Sequence, residues 1–598
     1  MLMQMMTRRG PRNPHRQKVT LHNVGATIRR IGGYLGTYRK ALAVVFVLTV
    51  FTTLSTIVGN RVNGIVVDRY IAHNKLQALL VVCGLLAAMY LVASVCTYFQ
   101  NTLTIKAAQQ TAARIRQDVF ANLQRLPMRY FDTHDTGDIM SRLTNDVDNI
   151  NTALMQTFVQ LFTGVIAVVG MGAAMLILSP LLTAIALLAT LATYTFSRAV
   201  AKVTQSAFTT QQQALGALNT QIEESVSGKA VVQLFDHTQQ TLDQFAQTNA
   251  QYTRAAFIAQ AFSSAMGPFN NMTNNLAYLL ITAAGAVSIL NGSHTVTVGV
   301  IFTFLIYLRN FTGPINNVLD LINTLQLSLA SAERVFELID EPPERDLPDA
   351  PATPGATGSV RFEHVDFAYD TRPILKDVNL TAHAGDVIAL VGPTGAGKTT
   401  IMNLLTNLYP LQHGRVLLDG TDVTTMRRRD LRRLITVVQQ EPFMFQQTIR
   451  ENIRLGRPGA TDEEVKQAAI AANAHVFITQ LPQGYDTVLA ENASGISQGQ
   501  RQLLSIARAF ITKAPVLVLD EATAAIDSNT EAAVQHAMTA LMRGKTSFVI
   551  AHRLSTIRHA TQILVIQDGR VVESGTHSAL LARGGAYADL YNSQFDPA

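Results

Sequence analysis

Hydrophobic and polar positions divide the chain near residue 330. Residues 41–60 and 76–105 contain no Asp, Glu, Lys or Arg, and each tract is long enough to cross a hydrocarbon core of roughly 30 Å as a helix. Residues 149–197 are also free of charge but too long for one crossing. Ser179-Pro180 interrupts them, so the pattern predicts two helices joined by a tight turn. Residues 255–308 repeat the arrangement, with the break at Asn291-Gly292-Ser293-His294. Six spanning helices result, separated by polar helical stretches over 106–148 and 202–254.

Beyond residue 330 the pattern changes to short apolar runs punctuated by turn residues. A last helix runs to about Ile339, and Glu341-Pro342-Pro343-Glu344 opens a Pro/Ala/Gly-rich link. Strand-like Ser359–Phe367 begins a mixed-charge domain. The predicted organisation is a basic N-terminus over 1–40 with an interfacial helix near 26–40, a six-span α-helical domain over 41–330, a linker over 331–358, and an α/β domain over 359–598.

Charge fixes the orientation. Residues 1–40 hold nine Lys/Arg and no Asp/Glu, the imbalance expected beside a cytoplasmic membrane face. The same side takes the loop with Arg114, Arg116, Arg125 and Arg129, and the second domain. The first apolar run leads to Arg61 rather than to a small-residue cleavage site, so no removable leader is expected. The net charge of +6 belongs to this membrane asymmetry, and no nucleic-acid partner is expected. Cys83 and Cys96, the only cysteines, lie in apolar runs as packing residues, with no disulfide or zinc pattern.

The chemistry begins at Val387–Val391, a buried strand followed at once by Gly392-Pro393-Thr394-Gly395-Ala396-Gly397-Lys398-Thr399-Thr400 and an apolar helix start. Glycines let backbone N–H groups close around phosphates, and the helix N-terminus adds its positive dipole end. Lys398 supplies a charge for the terminal phosphates and Thr399 an oxygen for Mg²⁺. A second apolar strand, Val516–Leu519, ends in Asp520 and Glu521. Asp520 suits Mg²⁺ held through its water, and Glu521 suits a base that activates water in line with the γ-phosphate. A third strand, Ser547–Ala551, ends at His552, placed to contact that phosphate. ATP and Mg²⁺ are therefore the expected cofactors.

Polar groups also stripe two spans. Arg309, Asn316, Asp320 and Asn323 fall on one face of the sixth at helical spacing, and Asn271, Asn274, Asn275 and Tyr278 on one face of the fifth. At membrane depth such groups face a wet path or bond neighbouring helices. A water-filled path is expected for Arg309 and Asp320.

Together these residues resemble the ATP-binding cassette exporters. Further matches are Val437-Val438-Gln439-Gln440-Glu441-Pro442, Tyr369 lying 23 residues before Gly392, and Ala551-His552-Arg553. In the membrane domain Tyr130-Phe131-Asp132, Thr136 to Asp146 and Glu223 to Gly228 resemble the cytoplasmic loops. The resemblance implies an ATPase coupled to transport, with Gln440 touching Mg²⁺ and Tyr369 stacking on adenine. It implies force crossing at loops around Asp138 and Ser227.

The family's signature appears as Ile496-Ser497-Gln498-Gly499-Gln500, with Gln498 where glycine is usual, and Ala524-Ala525-Ile526-Asp527 is also altered. Ser497, Gln498, Gly499 and Gln500 would close over ATP held by a second half-transporter. An intact P-loop beside an altered signature is similar to one half of a heterodimeric multidrug exporter, which moves amphipathic small molecules across the cytoplasmic membrane. A homodimer, a lipid flippase or importer, and an ATP-gated sensor or channel remain open.

Overall fold

The computed structural model describes residues 23–292, 295–344, 346–347, 355–490, 493, 495–520, 528–550 and 557–595. Contacts divide the chain into two compact units, Met1–Gln124 with Thr136–Glu341, and Arg125–Asp135 with Pro342–Ala598.

The first unit is helical. It comprises α1 (Val24–Leu35), α2 (Arg39–Ile65) and α3 (Leu76–Leu123). After α4 (Met128–Thr133) of the other unit come α5 (Thr136–Ser141), α6 (Val147–Leu178), α7 (Pro180–Ser227), α8 (Lys229–Leu234), α9 (Thr238–Ser264), α10 (Met266–Leu290) and α11 (Val298–Asp340). Among the described residues five continuous helices are long and apolar enough to cross a membrane, and Val298–Gly313 at the start of α11 is a shorter apolar stretch. α3 and α7 are 48 residues each, roughly 70 Å at helical rise. More than half of each therefore extends beyond the hydrocarbon.

Local chemistry sets the breaks. Ser179 is extended, its hydroxyl accepts from the Leu182 N–H at 3.4 Å, and Pro180 follows at the first helical position, where a missing N–H does no harm. The predicted hairpin forms there. α11 starts behind Thr297, whose hydroxyl accepts from Val300 N–H at 3.2 Å and donates to Asp68 at 2.5 Å. Asp68 also accepts from Gly299 N–H at 2.8 Å. A Cβ on Gly299 would lie 2.1 Å from the Gly64 carbonyl, so α2 and α11 approach at a distance only glycines permit. Inside, Met171, Met175, Leu182, Ile281, Phe304 and Tyr307 form a core across α6, α7, α10 and α11. Cys83 is exposed on α3 rather than packed.

The basic helix near the N-terminus is α1. Arg30 donates to Asp340 at 2.7 Å and lies 4.4 Å over the Phe336 ring, and Tyr34 donates to Asp118 at 2.7 Å. These bonds fasten α1 to α3 and the end of α11.

Past the crossings, α11 meets the short π-helical segment Arg142–Asp146 that leads into α6. Buried Asp146 accepts from Arg334 Nε at 2.8 Å and from Ser331 at 2.8 Å, and Asn149 donates to Ser331 at 3.0 Å. Asp146→Ala leaves Arg334 without its carboxylate and with only the Ser331 hydroxyl, at 3.4 Å, as a side-chain acceptor among the described residues. Because the arginine keeps an edge in water, the expected loss is about 2 kcal/mol. Thermal unfolding of the purified chain checks this: Asp146→Asn should lose less, and an unchanged midpoint for the alanine would contradict it.

The second unit carries two sheets among the described residues. β1 (Val360–Ala368), β2 (Pro373–Ala382), β4 (His413–Leu418) and β5 (Thr421–Asp422) make an antiparallel sheet in the order β2-β1-β4-β5. β3 (Val387–Val391), β6 (Ile435–Val438), β7 (Val516–Asp520), β8 (Thr546–Ile550), β9 (Gln562–Gln567) and β10 (Arg570–Gly575) form the other, in the order β10-β9-β3-β8-β7-β6. There β3, β6, β7, β8 and β9 are parallel and β10 antiparallel. Ile388, Leu390, Val518 and Phe548 face one core and Leu517, Leu519 and Val549 another, as a sheet covered on both faces requires.

Sequence reading places all of 41–330 in the membrane domain, yet Arg125–Asp135 falls in the nucleotide-binding unit. Tyr409 donates to Asp132 at 2.5 Å, Glu344 N–H to the Arg125 carbonyl at 2.6 Å, and Arg129 lies 3.7 Å from Asp370. Burial and the bond to Asp132 push the Tyr409 hydroxyl well above its usual range. On the first loop, the segment joined to this unit thus lies just ahead of Asp138.

Candidate nucleotide site

β3 lies between β8 and β9 and is buried from Ile388 to Val391, so the loop that leaves it starts at the centre of the sheet edge. Gly392 has φ 154°, and a Cβ there would sit 2.1 Å from the Ile566 carbonyl oxygen. Gly397 has φ 104°, and its Cβ would meet Leu375 at 2.6 Å. No L side chain fits either position without moving backbone or core. Pro393, Thr394 and Gly395 are exposed and Ala396 is buried, its N–H donating to the Pro393 carbonyl at 3.2 Å.

Gly397 caps α12 (Lys398–Leu405). Lys398 is buried, and Nζ donates to the carbonyls of Gly392 at 2.8 Å and Pro393 at 2.9 Å. An ammonium has three N–H donors, so one is left for a phosphate. Burial lowers the Lys398 pKa, opposed by the negative charge of Asp520. The backbone N–H groups, the dipole of α12 and this cation make an anion cradle.

Strand register brings the remaining groups to the same edge. Leu390 pairs with Ile550, Ile550 with Asp520, and Leu519 with Val438. Asp520 therefore stands in the row just below the loop, and Gln440, two residues past β6, is exposed beside it. Thr399 is exposed at the first turn of α12. A hydroxyl, a carboxylate and an amide oxygen are hard donors that fit Mg²⁺, which takes few protein ligands and completes its shell with phosphate and water. Glu521 follows β7 and His552 follows β8 in sequence, but both lie outside the described residues, as do Ala524 to Asp527.

Tyr369 meets Phe367 and Tyr409 edge-on at centroid distances of 4.9 Å each. Its hydroxyl donates to Thr400 at 3.4 Å and accepts from Asn403 at 3.1 Å. Sequence reasoning did not find Asn403 or Tyr409, because neither belongs to a recognisable spacing. Ser497 caps the helix Gln498–Thr512 reciprocally: its hydroxyl accepts from Gln500 N–H at 3.2 Å, and its N–H donates to Gln500 Oε1 at 2.9 Å. Gln498 is the first helical residue and Gly499 is buried. Gln502, also unforeseen, donates to the Gln439 carbonyl at 3.3 Å, tying this helix to the residue before Gln440.

In the membrane unit the two polar stripes part company. Arg309 is exposed and lines a cavity of about 490 Å³ with residues of α2, α3 and α6. Asn271 and Asn275 are exposed, Asn274 is half-buried, and Tyr278 packs against the helical core. None of these four lines that cavity. The side chains of Asn316, Asp320 and Asn323 lie outside the described residues.

A multi-span helical domain fused to a strand, phosphate loop and helix defines an ATP-dependent membrane transporter. Residues 42–315 match the family described as ABC transporter transmembrane region, and residues 375–524 the family described as ABC transporter. An uncharacterized ABC transporter ATP-binding protein of Bacillus subtilis (strain 168) is 43% identical over 95% of this chain and 94% of its own length. A fatty acid ABC transporter ATP-binding/permease protein of Mycobacterium bovis is 41% identical over 85% of this chain and 80% of its own. A solved bacterial Atm1-family ABC exporter with ATP bound superimposes with a TM-score of 0.74 at 29% identity, covering 94% of this chain and 99% of that one. The chain belongs to the ABC transporter family. It is an ATPase coupled to transport, of exporter type and working as a dimer, with its ATP-binding domain in the cytoplasm.

Proposed function

We propose that this chain is one half of a heterodimer that exports amphipathic molecules, and that ATP hydrolysis proceeds on its own phosphate loop. The reading rests above all on the loop geometry: buried Lys398 spans the Gly392 and Pro393 carbonyls with Asp520 in the neighbouring strand row. Lys398 and the backbone N–H groups bind the β- and γ-phosphates. Thr399 and Gln440, with Asp520 through a water, would hold Mg²⁺, and the ion would supply positive charge beside the phosphates. Glu521 takes a proton from the attacking water, His552 contacts the γ-phosphate, and Tyr369 carries the adenine. The helix N-terminus at Ser497 to Gln500 faces the nucleotide of the partner. ATP drives the membrane domain between inward- and outward-facing states only by binding them unequally.

The name of the mycobacterial relative, a fatty acid ABC transporter, favours lipid-like molecules among the amphiphiles of multidrug type. Gln498 favours unequal sites, because a side chain stands at the helix start where the family carries glycine. Gln498→Gly is expected to tighten ATP binding at the partner's loop several-fold, by restoring closure over that nucleotide, while hydrolysis on this chain's own loop changes little. The chain purified alone should hydrolyse little until its companion is supplied. Full turnover by the chain alone, with no response to Gln498→Gly, would favour a homodimer.

A further inference from the structure

Arg309 stands twelve residues into α11 from its Thr297 cap, roughly 18 Å at helical rise, and so near the middle of the hydrocarbon. Its cavity is walled by α2, α3, α6 and α11 and measures about 490 Å³. One part of the wall is polar, with Thr53 on α2, Gln100 and Asn101 on α3, and Asn310 beside the arginine. The other is apolar, with Val159, Ala167 and Met171. Three of the other lining threonines bond within their own helices: Thr52 donates to the Thr49 carbonyl, Thr56 to that of Thr52 and Thr97 to that of Ala93.

Thr53 and Gln100 differ. Thr53 is 5% exposed and Gln100 3% exposed, and Thr53 Oγ1 and Gln100 Oε1 have no hydrogen-bond partner among the described residues. No acceptor among them meets the Arg309 guanidinium either. Groups of this kind at membrane depth are expensive to leave unpaired. A cation with five donors, a hydroxyl and an amide oxygen without partners among the described residues are complementary to one ligand chemistry: a compact anion bearing an O–H or a bound water, joined to an apolar chain.

We propose that this cavity holds the head group of the transported amphiphile and that the head group is a carboxylate or phosphate bound directly by Arg309. The proposal rests on the reading of the chain as an amphiphile transporter and adds the charge of the cargo. Thr53 donates to the anion, Gln100 accepts from its hydroxyl or water, and the chain lies along Val159, Ala167 and Met171. An amphiphile with a cationic head is repelled by Arg309.

The test is equilibrium binding to the full-length chain in lipid nanodiscs without ATP, using labelled hexadecanoate and hexadecyl phosphate. Hexadecanol and hexadecyltrimethylammonium serve as neutral and cationic counterparts. Both anions should bind saturably and at least about tenfold tighter than either counterpart, the value of one charge-assisted bond. Arg309→Gln should remove that preference while hexadecanol binding is unchanged, and Arg309→Lys should keep most of it. Thr53→Val, which nearly preserves volume, should weaken the anions several-fold and serves if Arg309→Gln does not fold. Anion affinity untouched by Arg309→Gln, as it would be if a partner carboxylate held the guanidinium, overturns the proposal. So does equal binding of hexadecanol, or displacement of hexadecanoate by millimolar inorganic phosphate. Because the assay uses no nucleotide, its failure is distinct from a failure of ATP-driven transport.

Discussion

Glu521→Gln should slow ATP hydrolysis by about two to four orders of magnitude, the range for removing a positioned general base, and leave ATP binding within a few-fold of wild type. The amide keeps the shape of the side chain but cannot take a proton from water. Lys398, Thr399 and the loop N–H groups, which carry the affinity, are untouched. The expected product is a transporter that holds two ATP molecules with its cassettes closed. Single-turnover hydrolysis and nucleotide titration of the same preparation separate the two quantities. A variant that retained most of its turnover would remove Glu521 from that role.

Gly392→Ala should be the most damaging single methyl group in the loop. The new carbon would sit 2.1 Å from the Ile566 carbonyl oxygen, backbone that cannot rotate away, at φ 154°. The conformational penalty and the overlap together amount to about 3 kcal/mol. The loop must either leave β3 differently, displacing the N–H groups that meet phosphate, or push β9 from its place beside β3. Gly395→Ala is the internal control. Its φ of 83° is also unfavourable, but a methyl there meets nothing within 4 Å, so about 1 kcal/mol is expected. ATP affinity and thermal unfolding of the two variants should differ accordingly, and equal losses would contradict the packing at Ile566.

What could be read from the chain was what depends on few neighbours. The break at Ser179-Pro180 follows from a cap and a ring, and the loop after β3 from glycines whose necessity is local. The row of strand ends at Val391, Asp520 and Ile550 was visible as three apolar runs, although their order in the sheet was not. Pairings across long separations left no trace. Tyr409 meets Asp132 from 277 residues away, so nothing in the apolar pattern marked Arg125–Asp135 as belonging with the second unit. Arg309 was conspicuous as a charge in an apolar tract, whereas Thr53 and Gln100 were not, because which of the many hydroxyls and amides on α2 and α3 goes without a partner is set by packing between helices. The asparagines of α10, read by spacing as a companion stripe, line a different part of the surface.

The central claim, that ATP captured at the Gly392–Thr399 loop moves an amphiphile across the membrane, is tested most directly by flux in sealed proteoliposomes. The full-length chain, reconstituted with its companion subunit, is assayed for movement of labelled hexadecanoate. ATP should accelerate transfer away from the ATP-binding side in wild type, and Glu521→Gln should abolish the acceleration while still binding nucleotide. Transfer at the same rate with and without ATP, or acceleration that survives Glu521→Gln, would contradict the account.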